Sequence, residues 1–237
     1  MINFSKKPIY KNALLLLGLF ILYFTIIPNL SAHGVTDGDK GYIQESSGTM
    51  ILPFIYLGAK HMVTGYDHLL FLFGVIFFLY RLKDVSIYVT LFAVGHSVTL
   101  ISGVLFDFSV SAYIIDAIIG FSIVYKALDN MQAFQSWFGF QPSTKIATLI
   151  FGLFHGLGLA TKIIEYEISS EGLIQNLVAF NIGVELGQVI GLALILIAIG
   201  YWRRSGSFLR HAYNANVALM VGGFIFVGYQ MTGYFIN

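Results

Sequence analysis

The chain of 237 residues has no cysteine. Disulfides, thiolate metal sites, iron–sulfur clusters and a cysteine nucleophile are therefore all excluded. Charge is scarce too: 11% of residues are charged, less than half the roughly 25% of a soluble domain. The formal net charge is only +1, with no basic patch of the kind a nucleic-acid binder carries. Gly-x-Ser-x-Gly, His-Glu-x-x-His, the P-loop and the dinucleotide fingerprint are all missing, as is a long His-rich tract. What remains is apolar, with 57% hydrophobic residues, 22 Phe and 14 Tyr. A disordered chain cannot look like this, and an ordinary soluble domain does not. The composition is that of an all-α, polytopic transmembrane helix bundle whose main partner is the lipid bilayer.

Residues 1–32 read as a secretory signal peptide. Lys6, Lys7 and Lys11 form a positive start, residues 13–27 are an apolar run too short for a full span, Pro28 breaks it, and Ala32 ends a cleavage site. Residues 33–49 are polar and glycine-rich, a short extracytoplasmic segment. The transmembrane domain is then 50–237, with about six spans expected near 50–80, 85–105, 112–129, 145–162, 175–201 and 213–234. The first run is too long for one plain span. Gly65 divides it into a shallow helix and a short span opening near Asp67, a residue of good N-cap type. With the mature N-terminus outside, the inner loops collect Arg81, Lys83, Lys126, Lys145, Arg203, Arg204 and Arg210. The outer ones keep Lys40, Lys60 and Lys162, the expected bias for a bacterial-type inner or plasma membrane.

Ionisable groups in hydrocarbon are costly and mark function by default. At about 1.5 Å per residue, His68, His96, Asp116, His155 and Glu185 fall at one depth, in the outer half of five different spans. Three imidazoles and two carboxylates without sulfur suit a divalent transition metal such as nickel, cobalt or zinc, and ligand type does not choose among them. Asp67 could orient His68 as a neighbouring carboxylate. His61 and His33, the latter the mature N-terminus after cleavage, are entry residues. Ser97 adjoins His96. Asn181, Glu185 and Gln188 share one helix face, nearly opposite a stripe of Ala179, Gly183, Gly187 and Gly191. That stripe suits close packing inside the chain or in a homo-oligomer. Gly152 and Gly156 repeat the spacing around His155. His211 reads as a surface residue, and Asp84, Asp107 and Asp129 as solvated span ends.

Five blocks in order carry a resemblance over roughly residues 55–190. They are Gly58-x-x-His61-x-x-x-Gly65-x-Asp67-His68-Leu69-Leu70-Phe71; His96-Ser97-x-Thr99-Leu100; Ser122-Ile-Val-Tyr-x-Ala-Leu-x-Asn130; Phe151-Gly-Leu-x-His155-Gly-Leu-Gly158; and Phe180-Asn181-x-Gly183-Val-Glu185-x-Gly187-Gln188. Together they resemble the HupE/UreJ membrane proteins. In the third span that family usually carries Glu where this chain has Asp116. The resemblance implies a hydrogenase or urease accessory role and uptake of nickel or cobalt. The residues alone leave three readings open: a metal permease, an intramembrane metal-dependent hydrolase, and a metal-binding accessory protein without transport.

Overall fold

The computed structural model describes residues 43–44, 47–108, 110–164 and 170–236. The signal peptide and His33 lie outside them. Among the described residues there are helices and no strand. In chain order these are α1 (Ile51–Thr64), α2 (Tyr66–Ile76), α3 (Leu82–Leu105), α4 (Ala112–Asn130), α5 (Ala133–Phe138), α6 (Thr144–Ile164), α7 (Leu173–Arg204) and α8 (Phe208–Ile236).

Four of them, α3, α6, α7 and α8, are long and apolar enough to cross a membrane. The expected third span, α4, is helical for 19 residues but carries Asp116, Lys126 and Asp129, which dilute its apolar run. The expected first span is two helices. α1 stops at Gly65, whose extended backbone (φ −72°, ψ 103°) leaves its N–H bonded to the His61 carbonyl. α2 restarts one residue later. Asp67 does not cap it: Gly65 occupies the N-cap, and Asp67 is the second helical residue with its carboxylate turned to His68.

Nor is α1 a shallow appendage. At its start the Met50 N–H donates to Asn176 Oδ1 (2.7 Å) near the beginning of α7. Further along, Gly183 and Gly187 of α7 lie against the Ile55 and Ala59 carbonyls. Then Leu69 reaches Gly191. At the end the Arg203 guanidinium donates to the Ile76, Phe77 and Leu79 carbonyls at 2.7, 2.6 and 2.8 Å. α1 and α2 thus run beside α7, in its direction, along its whole length of about 48 Å. Arg203 supplies donors to the carbonyls at the end of α2, of which Ile76 also accepts from the Leu79 N–H. The small-residue stripe of α7 serves this internal packing. Its glycines let backbone meet backbone, since a Cβ on Gly187 would stand 2.6 Å from the Ala59 oxygen.

Two further pairs complete the bundle. α3 runs parallel to α6, with Gly95 against Leu149 and Leu153, and Gly156 against the His96 carbonyl. α4 runs antiparallel to α8, with Gly120 against Phe226 and Gly233 against Tyr113. We call the end holding the starts of α1, α4 and α7 the upper end. Two apolar cores fill the interior. The upper one includes Phe54, Leu57, Met62, Leu100, Leu159 and Phe180. The lower one includes Phe71, Val75, Phe77, Phe92, Ile123 and Phe151. In α3 and α6 the buried histidine lies where the lower core gives way to the upper, and His61 and His68 of α1 and α2 meet them there.

Candidate metal centre

His68 is the hub of that polar layer. The break at Gly65 places it in the first turn of α2, inside the bundle and fully buried. Its ring centroid lies 4.9 Å from His155, 5.2 Å from His61 and 6.2 Å from His96. Each of the four comes from a different helix. His96 and His155 are brought together by the close approach of α3 and α6. Thr99 locks that approach by donating to the Leu153 carbonyl across the pair (2.6 Å). The three imidazoles expected at one depth therefore lie close together.

Asp67, His68 and His155 go further: one ligand atom from each lies within 4.8 Å of the others, and all three residues are buried. Such a group could hold a metal ion. Hydrogen bonds fix two of the rings. His68 Nδ1 stands 3.1 Å from Asp67 Oδ1, which orients the ring. The Ser122 hydroxyl donates its only proton to the Ile119 carbonyl (2.6 Å). Facing His155 Nε2 at 3.4 Å, it can then only accept, which leaves the His155 lone pair on Nδ1. Ser122 was not among the residues expected at the site. The one clue to it was its place in the third sequence block.

Beneath these rings the site is closed by aromatics. Phe92 lies 4.9 Å from His155 and 6.3 Å from His68, Phe71 lies 5.5 Å from His155, and Phe151 packs 5.9 Å from Phe71. Water is scarce in such a layer, and electrostatic interactions there are strong.

The other expected residues separate. Asp116 is buried but pairs with Lys162 Nζ (2.8 Å), above the trio. Ser97 is only partly buried. Asn181 and Gln188 are buried and face inward, whereas Glu185 is exposed. The two stripes of α7 are not opposed. Both bound one wide interior arc, and Glu185, about 40° around from Asn181, falls past its edge. Asp129 is not solvated either. It is buried, pairs with Lys126, and accepts from Gln141 and from Thr144 (3.1 Å). His211 is exposed, as expected, and bonds the Ser207 carbonyl.

Residues 37–237 match the family model described as HupE / UreJ protein. No curated protein and no solved structure matches the chain.

Proposed function

The chain belongs to the HupE/UreJ family, and from that premise we propose that it is a multi-pass permease for a divalent transition metal. The observation that carries this reading is the buried trio of Asp67, His68 and His155. Two neutral imidazole nitrogens and a carboxylate oxygen are ligands for nickel, cobalt or zinc, and the chain offers no thiolate to compete. The ion is the cargo. His61 and His96 flank His68 and would pass it in or stabilise it on the way. In this reading α4 and the α1–α2 pair join the four apolar helices to make six crossings, with the upper end outside.

The burial of the trio fits a transport site better than a catalytic one. His68 and His155 have no exposure, and an aromatic layer closes them from below. A substrate larger than an ion would have to displace packed rings. Glu185 is no spare base for the site, because it faces outward.

The test is metal content in cells that express the chain. Wild type should raise cell-associated cobalt or nickel over a vector control, and His155→Ala should remove the increase. Equal content in all three, with the protein present in the membrane, would refute the permease and leave a binding protein without transport.

A further inference from the structure

The trio sits under an upper apolar core and over a lower one, which fill the bundle centre among the described residues. The side of the bundle differs. Three polar contacts join α4 to α6 in order from the upper end to the lower. Lys162 Nζ meets Asp116 Oδ2 at 2.8 Å. His155 Nε2 meets Ser122 Oγ at 3.4 Å. Thr144 Oγ1 meets Asp129 Oδ2 at 3.1 Å. Ser122, Lys126 and Asp129 succeed one another at i, i+4 and i+7 on α4, and Thr144, Thr148 and His155 at i, i+4 and i+11 on α6, so each set holds one face. Ser122, Lys126, Asp129, Thr148 and His155 are all buried. The metal centre is thus the middle station of a polar seam whose lower end is a carboxylate.

That carboxylate is occupied by the chain itself. The ammonium of Lys126 lies on Asp129 Oδ2, both side chains at least nine-tenths buried. Its stem runs over Gly74, where even a Cβ would stand 3.0 Å from the Lys126 Cγ. A buried ion pair is a poor device for stability, because desolvating two charges cancels most of their attraction. As a switch it has a use: an ammonium on a flexible four-carbon stem can leave a carboxylate that a divalent cation then takes.

We propose that the α4–α6 seam is the exit path of the ion and that Lys126 is its gate, a tethered cation that holds Asp129 until a metal ion displaces it. The proposal rests on the permease reading and adds the lower station to it. Asp129 and the Thr144 hydroxyl supply oxygen donors there, weaker for a transition metal than the imidazoles above, which favours release. Asn130, which donates to the Gly74 carbonyl and to Asn216 Oδ1 (both 2.9 Å), holds α4 against α2 and α8 while Lys126 moves.

The test uses the full chain in vesicles loaded with a cobalt-sensitive dye. Lys126→Gln keeps a hydrogen-bond donor for Asp129 but no charge, and should raise cobalt uptake about tenfold, within the range of a coupling between two states. Asp129→Asn should lower uptake by a similar factor. Both should bind cobalt at the central trio as wild type does, which also reports that they fold. Because the chain has no cysteine, Thr148→Cys gives a readout independent of transport. A membrane-impermeant maleimide applied to the lower side should label it faster when Lys126→Gln is also present. Wild-type uptake that neither variant alters, or labelling indifferent to Lys126, would overturn the gate alone. Wild-type vesicles that bind cobalt and take none up would overturn the permease reading and the gate with it.

Discussion

Gly65→Ala perturbs the proposed metal centre while leaving the helices almost untouched. Gly65 has φ −72° and ψ 103°, a conformation open to alanine, so its backbone imposes no strain. Space is what the substitution lacks. The new Cβ would stand 2.7 Å from His68 Nδ1, 3.1 Å from Asp67 Oδ1 and 3.1 Å from the His61 carbonyl oxygen. Ordinary contact begins near 3.4 Å, so the His68 ring must retreat by about 0.7 Å. It is hemmed in by His61, Phe92 and His155, and the displacement passes to its neighbours. Metal ligands tolerate errors of only about 0.2 Å. Disturbing the carboxylate that orients a ligating imidazole typically costs about 10–100-fold in affinity, or roughly 1.4–2.8 kcal/mol. Stability should fall by less than the affinity, because crowding a packed interior costs about 1–3 kcal/mol and the lost glycine freedom of the unfolded chain returns about 0.4–1 kcal/mol. The assay is a cobalt titration in detergent, read by visible absorption, beside thermal melts without metal. Gly200→Ala is the control, since nothing lies within 4 Å of its Cβ. Wild-type cobalt affinity in Gly65→Ala would refute the placement of the ion at His68.

Three further outcomes follow from the same geometry. Glu185→Gln should leave cobalt affinity within about twofold of wild type, since the side chain is exposed and outside the cluster, and well under the 1.4 kcal/mol that a tenfold change represents; the same titration reads it. Arg203→Met removes the donors to three carbonyls at the end of α2 and should cost at least about 1.5–3 kcal/mol, seen as a lower melting temperature with cobalt affinity retained. Cobalt affinity should fall as pH falls, because protons compete with the metal for the imidazole lone pairs of His68 and His155. Complex stability is therefore present at the higher pH and lost on acidification, and titrations at stepped pH should show it.

Much of the site was legible before the fold was known. The break at Gly65 followed from a run too long for one span, and the common depth of His68, His96 and His155 from counting residues along alternating helices. The spacing of Gly152 and Gly156 pointed to close packing beside His155, and the structure has it against α3. What failed were inferences about rotation and pairing. Glu185 shares a nominal face with Asn181 and Gln188, but a helical wheel does not say where the buried arc ends. Asp129 reads as a solvated span end unless its contacts with Lys126, Gln141 and Thr144 are known, and those depend on how α4 meets α6. The alignment of α1 with α7 was equally hidden. A 14-residue helix looks too short to cross anything until α2 is seen to continue it. Ser122 escaped notice because a hydroxyl in a span is common, and only its contacts with Ile119 and His155 give it a role.

Elemental analysis of the detergent-purified protein shows whether Asp67, His68 and His155 hold one ion. Wild type and His68→Ala/His155→Ala should be loaded with cobalt side by side and desalted. Wild type should retain close to one ion per chain and the double variant almost none. Metal retained by the variant, or none held by a folded wild type, would contradict that placement of the ion.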